Sequence, residues 1–434
     1  MNRLVATVGL AAIGATALQA QEVPGLTASA PKLWSASATL RGFYDDNFNT
    51  VPDGVHKQSV FGFELSPSLG FQWSSPQTHV TATYVYSFKY YDHRPDGQTQ
   101  KYDQDHAFNV ALEHAFSQRQ QLIVGDSFVI GQEPDYLRAG NSLATFQRIP
   151  GNNIRNYGSI AFKEQFTRLF GIEVGYNNAY YDYAAHNSGP NFIAPSPSGL
   201  LDRIEHTIHL DTQWTLQPET VAVFGYQFRD VGYTGNEEIG VVPVGADAGS
   251  VFSDQRNYRE HYAYVGLNHT FRPDLTASLR VGADFLDFYN DPKGNGNGWG
   301  PYAQLVLDWT YAQDSRVEFG VTHDINSTDV TGIGGTSDSF TSSQETTVVY
   351  GSINHRITPR LRGSITAQFQ DSTFNGGTAN NESERDYLLG LNLNYQFTPH
   401  FSGELGYNYD KLDSQIPGRT FDRNRVYIGV TAGY

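Results

Sequence analysis

The sequence predicts an all-β protein, a transmembrane antiparallel up-and-down β-barrel of about eighteen strands. Three observations carry this reading. Segments of strand length alternate apolar and polar residues from end to end of the chain. Aromatic residues bracket the apolar face of those segments, as at the two interfaces of a membrane. Short turns then alternate with long polar loops, which is the connectivity of an up-and-down barrel.

Composition sets the class. Apolar residues make up 39% and mean hydropathy is −0.44, yet aromatics reach 14% and there are 43 glycines. That balance is expected when half of each strand faces lipid and half faces water. Cysteine is absent, so neither disulfides nor thiolate metal sites are available. The formal charge of −16 argues against a nucleic-acid binder.

The first twenty residues hold a basic residue at Arg3, an apolar run from Leu4 to Leu10, and small residues at Ala15, Ala17 and Ala20. Residues 1–20 therefore read as a secretory signal peptide with cleavage after Ala17 or Ala20. The run is too short to span a bilayer as a helix. Residues 21–33 read as a periplasmic tether, and residues 34–434 as the barrel. The first strand carries Arg41 inward and closes on Tyr44-Asp45-Asp46-Asn47. In the second, Phe61, Phe63, Leu65, Pro67, Leu69, Phe71 and Trp73 share one parity, and Glu64 lies on the other. The third answers with Val80, Ala82, Tyr84, Tyr86, Phe88 and Tyr90 outward and Lys89 inward. A one-residue slip would place Lys89 in lipid at a cost of about 2 to 4 kcal/mol near midplane, so parity fixes register.

The fifth strand is irregular, because Ile123, Val124, Phe128 and Val129 are apolar on both sides around Asp126. Something other than lipid is expected to cover one face. Two placements of the loop that follows, Gly131 to Asn152, fit equally. It folds into the lumen, setting Glu133, Asp135, Arg138 and Arg148 at a constriction, or it packs externally on its neighbours. The sixth strand puts Glu164 on the parity of Ile160 and Phe162. Near the other end, Tyr387, Leu389, Leu391, Leu393, Tyr395 and Phe397 form a leucine band between aromatics. The last strand has Val426, Ile428, Val430, Ala432 and Tyr434 on one parity, and it is expected to pair with the first and engage the barrel-assembly machinery. Short turns follow Trp73 to Pro76, Phe116-Ser117, Phe166-Thr167, Trp214-Thr215, Phe271 to Pro273, Tyr311-Ala312, Ile357 to Pro359 and Phe397 to Pro399, and they read as periplasmic. The long segments between them read as extracellular.

Parity places Arg41, Glu64, Lys89, Glu113, Glu173, Arg203, Arg229, Arg280, Asp284, Asp308, Glu318, Arg356, Arg362 and Glu404 on the lumenal wall. Mixed charges suit hydrated polar solutes and tune ion selectivity. They equally suit a wall that is merely polar and pairs with itself. Tyr262, Tyr264, Tyr350 and Tyr427 also face inward, where ring faces beside polar groups can stack on sugars.

Tyr44-Asp45-Asp46-Asn47, Asp126-Ser127-Phe128 and Gly131-Gln132-Glu133-Pro134 resemble the family called putative β-barrel porin 2. The resemblance implies a channel of the Gram-negative outer membrane, in contact with lipid and lipopolysaccharide. Some members lie at exopolysaccharide loci, which implies saccharide or exopolysaccharide export and periplasmic export components as partners. It supplies no catalytic residues and no cofactor.

Enzyme readings are weaker. Gly125-Asp126-Ser127-Phe128 resembles the nucleophile block of Gly-Asp-Ser esterases, but those carry it in an α/β domain. His114, His269 and His355 lie outward near short turns without a conspicuous serine. No metal spacing is compelling: the Asp-rich ends of loops could weakly bind divalent cations, but the hard-cation loop pattern, the phosphate loop and the dinucleotide motif are absent. The expectation is a passive channel, not an enzyme, with a barrel hydrolase, a surface adhesin or structural barrel, and a soluble propeller as alternatives.

Overall fold

The computed structural model describes residues 33–97, 99–133, 142–184, 195–242, 249–291, 297–333 and 339–434. The signal-peptide segment, most of the tether, and Asp135 and Arg138 lie outside the described residues. The first nine strands are β1 (Trp34–Asp45), β2 (Val60–Ser74), β3 (Thr78–Tyr91), β4 (Tyr102–Ala115), β5 (Gln120–Gly131), β6 (Asn153–Gln165), β7 (Phe170–Asp182), β8 (Arg203–Gln217) and β9 (Thr220–Tyr233). A short helix, α1 (Pro197–Leu201), precedes β8. A separate hairpin, β10 (Glu238–Val242) with β11 (Gly249–Phe252), follows β9. The wall resumes with β12 (Tyr258–Arg272), β13 (Leu275–Asp287), β14 (Gly298–Ala312), β15 (Ser315–Asn326), β16 (Thr341–Arg356), β17 (Leu361–Gly376), β18 (Ser383–Thr398), β19 (Phe401–Ser414) and β20 (Phe421–Gly433).

Each wall strand pairs antiparallel with its neighbours, and β1 pairs with β20 from Ser37 opposite Gly433 to Asp45 opposite Arg425. The result is a closed ring of 18 strands, which leaves no open edge. All eight short turns fall where the aromatic-then-turn pattern places them.

Parity sorts the two faces. Leu40, Leu69, Ile208, Val265 and Ile428 lie exposed on the outside, Ile428 at 67%. So continuous an apolar exterior has no place in water, and it is the lipid-facing belt of an outer-membrane barrel. Among the described residues no helix is long and apolar enough to cross a membrane. Aromatic pairs mark the belt's loop-side rim: Tyr44 with Phe61 at 4.7 Å, Phe63 with Tyr90 at 5.2 Å and Phe285 with Trp299 at 5.2 Å between ring centres. Trp73, Phe116, Phe166, Trp214 and Phe271 mark the turn-side rim. Asp126 is the outward exception on β5, and its two carboxylate oxygens accept from Asn156 Nδ2 at 3.2 and 3.0 Å.

The inside is not a water column from end to end. Small apolar clusters fill its loop-side end: Phe146 with Leu412 and Phe421; Ile149 with Tyr183 and Leu201; Ile239 with Val242, Val251 and Phe340; Val330 with Phe374 and Ala379. Two of the four set loop residues on inward wall residues, Phe146 on Leu412 and Phe421, and Val330 and Ala379 on Phe374; the other two join residues of the connections to one another, so burial gathers the loops at this end.

The ladder is interrupted between β2 and β3, at Ser66 and Pro67, and more extensively between β14 and β15. Pairing of β14 with β15 stops at Ala303 opposite His323, although β14 reaches back to Gly298 and β15 runs on to Asn326. Continuing that register would set Pro301 against Ile325, and proline has no N–H to give. The Ile325 N–H donates instead to Asp324 Oδ1 at 2.8 Å, and its carbonyl accepts from Arg229 Nη2 at 2.5 Å. β15 meanwhile stays with β16, Asn326 opposite Gln344.

Candidate functional site: the lumen and its crossing loop

The segment between β5 and β6 crosses the bore. The Leu143 N–H donates to Gln370 Oε1 at 3.0 Å, and the Leu143 carbonyl accepts from the side chains of Gln344 and Gln370 at 3.1 Å each. Those glutamines belong to β16 and β17. In ring order β5 is fifth and β16 fourteenth, nine places apart in 18, so the segment reaches the opposite wall. The Ala144 carbonyl also takes the N–H of Asp329 at 3.1 Å. Of the two placements the sequence left open, the structure has the inward one.

Charge fastens the near end of this segment. Arg148, 6% exposed, contacts Asp103 of β4 at 2.5 Å and Glu133 at 3.0 Å, and its guanidinium lies 4.0 Å over the Phe48 ring. Glu133 also meets Arg423 of β20 at 2.8 Å, and Arg423 grips Asp45 of β1 through Nε and Nη2. The same arginine therefore bridges the closing seam of the barrel and ties the crossing loop to it. Burial favours the neutral form of Glu133, but the guanidinium of Arg423, with Arg148 and Arg425 behind it, outweighs burial and holds the carboxyl well below the ordinary range.

The parity-assigned residues all lie on the inner face, in separate groups. Arg41 pairs with Glu404 and, at 3.4 Å, with Glu64; next along the same wall Lys89 pairs with Asp105 at 2.6 Å. Near the short turns, Arg316 joins Asp308 and Glu318, while Arg356 and Arg362 reach Asp314 at 3.0 and 3.7 Å. Glu113 lies exposed at the turn-side end of β4, opposite His79.

The third group lines a cavity of about 150 Å³ beneath the crossing segment, where Glu173, Arg203, Arg229 and Arg280 converge with Asp211, Tyr264, Tyr302 and Asp324. Glu173 meets Lys163 at 3.4 Å and Arg203 meets Glu205 at 2.7 Å. Arg229 Nε donates to Glu260 Oε2 at 2.7 Å. Arg280 bonds the neutral Asn268 at 2.8 Å and Ser278 at 3.1 Å. Asp284, four residues on, is 0% exposed beside Glu260 and Asp324.

Three of the inward tyrosines are set flat by glycine. Tyr264 lies opposite Gly225, Tyr350 opposite Gly320 and Tyr427 opposite Gly406, and a Cβ on any of these glycines would overlap the tyrosine ring. The rings therefore lie along the wall, and the bore keeps its width. Asp126 and Ser127, consecutive on β5, point to opposite faces, so the Gly-Asp-Ser stretch is ordinary strand alternation. His114, His269 and His355 bond Thr78, Thr220 and Tyr311 at 2.8, 2.9 and 2.7 Å.

Reasoning from sequence passed over Asp45, Asp103, Asp211, Glu260, Asp324 and Arg423. Each shares the inward parity of its strand, so the same rule applied throughout would have found them. Their partners come from strands and loops far apart in sequence, which parity does not reveal.

Residues 297–434 match the family model described as "Putative beta-barrel porin 2". No curated protein matches the chain. Among solved structures, the chain is similar to OpdK of Pseudomonas aeruginosa, crystallised with vanillate, at 10% identity, covering 92% of this chain and 99% of that one with a TM-score of 0.42. It is similar to OccAB3 of Acinetobacter baumannii at 11% identity, 92% and 99% coverage and a TM-score of 0.41. It is also similar to a BenF-like porin of Pseudomonas fluorescens Pf-5 at 10% identity, 92% and 99% coverage and a TM-score of 0.43.

Proposed function

We propose that this outer-membrane barrel is a passive channel for small polar solutes, saccharides in particular, with its bore narrowed by the segment between β5 and β6. The observation that carries the reading is the crossing itself. A segment bonded to the opposite wall through Leu143 leaves a polar cavity with both charge signs on its lining, and not an apolar plug from rim to rim.

Mixed charge favours hydrated, dipolar solutes over bare ions of one sign, because each sign met along the path is answered by the other. The saccharide refinement rests on the tyrosines. Tyr264, Tyr350 and Tyr427 lie flat against glycine on the inward parity beside hydrogen-bonding groups, the pairing that sugar rings stack on, and Tyr264 lines the cavity itself. Tyr264 Oη donates to Asp211 at 2.6 Å, which fixes the ring's tilt. Passage of a continuous polymer requires the crossing segment to move aside, so small saccharides are the preferred class.

Planar-bilayer recording with the full chain tests the channel, and oligosaccharide titration of the current tests the refinement. Discrete conductance steps are expected, with saturable block that weakens in Tyr264→Ala. A folded, inserted barrel that passes no current would overturn the channel. Current that no sugar blocks would overturn the saccharide class alone.

A further inference from the structure

We propose that Glu260, Asp284 and Asp324 form a calcium site on the lumenal wall. Oxygens from the three carboxylates lie within 4.8 Å of one another, the span across a calcium ion with ligands at roughly 2.3 to 2.6 Å. The strands supply them by a specific route. Glu260 and Asp284 come from the upper ends of the paired strands β12 and β13. Asp324 joins them because the end of β15 stays with β16 and leaves β14, next to Pro301.

Two observations beyond the proximity of acids point to a cation. Asp284 is 0% exposed and neither of its carboxylate oxygens has a hydrogen-bond partner; Glu260, also 0% exposed, leaves Oε1 without one. Their remaining contacts are directional. Glu260 gives Oε2 to Arg229, and Asp324 gives Oδ1 to the Tyr262 hydroxyl at 2.8 Å and to the Ile325 N–H. Each carboxylate thus keeps at least one oxygen turned to the others. Arg229 stands at one side, with Nη1 at 3.6 Å from Asp324 Oδ2, and one guanidinium against three carboxylates leaves two negative charges. A divalent ion answers that balance. The second observation is the space: a Cβ at Gly300 would overlap Asp284 Oδ1, so the carboxylate occupies room that only glycine leaves. An all-oxygen donor set with a flexible carboxylate suits a hard ion such as calcium, and excludes metals that need sulfur or imidazole.

The ion would tie β12, β13 and the free end of β15 together where the β14 ladder stops. This does not rest on what the barrel conducts, and the test reads binding directly. Purified full-length barrel in detergent, stripped with chelator, is titrated with Tb³⁺ under tyrosine excitation, with Tyr262 bonded to a ligand as the donor, and then with Ca²⁺ as competitor. Saturable emission displaced by Ca²⁺ is expected, with affinity lowered about tenfold or more in Asp284→Asn and in Glu260→Gln. Glu113→Gln, at the turn-side end of the lumen, should match the unaltered barrel. Emission that persists in both variants, or that Ca²⁺ does not displace, would overturn the site. Should Asp284→Asn fail to fold, the unaltered barrel decides the matter: its unfolding temperature should rise in Ca²⁺ over chelator, and an unchanged temperature would overturn the proposal.

Discussion

Replacing Glu133 with glutamine should release the loop that crosses the bore. Glu133 makes three contacts of 3.1 Å or less to guanidinium groups, one to Arg148 and two to Arg423. Hydrogen bonds to charged groups contribute roughly 1.5 to 3 kcal/mol each when buried. The sum must be discounted, because the Glu133 side chain is 26% exposed and both arginines keep another carboxylate, Asp103 and Asp45. A net loss of about 2 kcal/mol is expected, which moves the balance between seated and released loop by about thirtyfold. In bilayer recordings Glu133→Gln should spend far more time in a larger conductance state. Acidity gives a companion test. A carboxyl whose folded pKa is depressed lends its stability above the ordinary glutamate value of about 4.3 and loses it only as pH falls through the depressed value. Conductance of the unaltered barrel should therefore hold steady between pH 7 and pH 5, and any opening should come at lower pH. A folded Glu133→Gln barrel with unchanged conductance would refute the clamp, and so would opening near pH 6.

Three further outcomes follow from the wall. Arg280→Glu should shift the reversal potential toward cations in a salt gradient while the barrel still folds, whereas Leu279→Arg, on the lipid face, should cost about 2 to 4 kcal/mol in a lipid folding titration; equal folding effects with no change in selectivity would mean that β13 does not line an aqueous path. Asn156→Ala should destabilise by about 1 to 3 kcal/mol by leaving Asp126 without its donor in lipid, and adding Asp126→Ala should recover most of that loss; a double variant as unstable as the single one would refute the pairing. Since the chain has no cysteine, Thr378→Cys in the loop after β17 should react with an impermeant thiol reagent on intact cells and Pro399→Cys should not; the reverse pattern would invert the topology.

Strand parity made the wall legible because a period of two survives in every strand, and a charge on the wrong face in lipid is costly enough to keep it so. Glu64, Lys89 and Glu404 were therefore placeable from their neighbours alone. The bore was less legible. Ser142 to Gly151 has no periodicity, and its destination is set by Gln344 and Gln370, some two hundred residues downstream. The blurred parity of Ile123 and Val129 raised the expectation of a cover over β5, and both lie half-buried on its inner face. The hairpin of β10 and β11 went unread because its strands, at five and four residues, are too short to show alternation. Pro301 was a signal available and unused, since a proline inside a strand marks a place where one flank lacks a partner.

That proline sets where the ring yields. A closed sheet behaves as a hoop, and it resists widening because every rung around the circumference must stretch together. Between Gly298 and Tyr302 the hoop is held on the β13 side alone, while the matching groups of Ile325 are occupied by Asp324 and Arg229. Compliance of the wall is thereby raised along this meridian, at the loop-side rim, directly outside the charged cavity. Backbone groups alternate sides along a strand, so the amide of Trp299, on the same side as Pro301, should be among the first of the wall to exchange with deuterated solvent, and radial breathing of the barrel should be larger across this joint than across a fully laddered pair of strands.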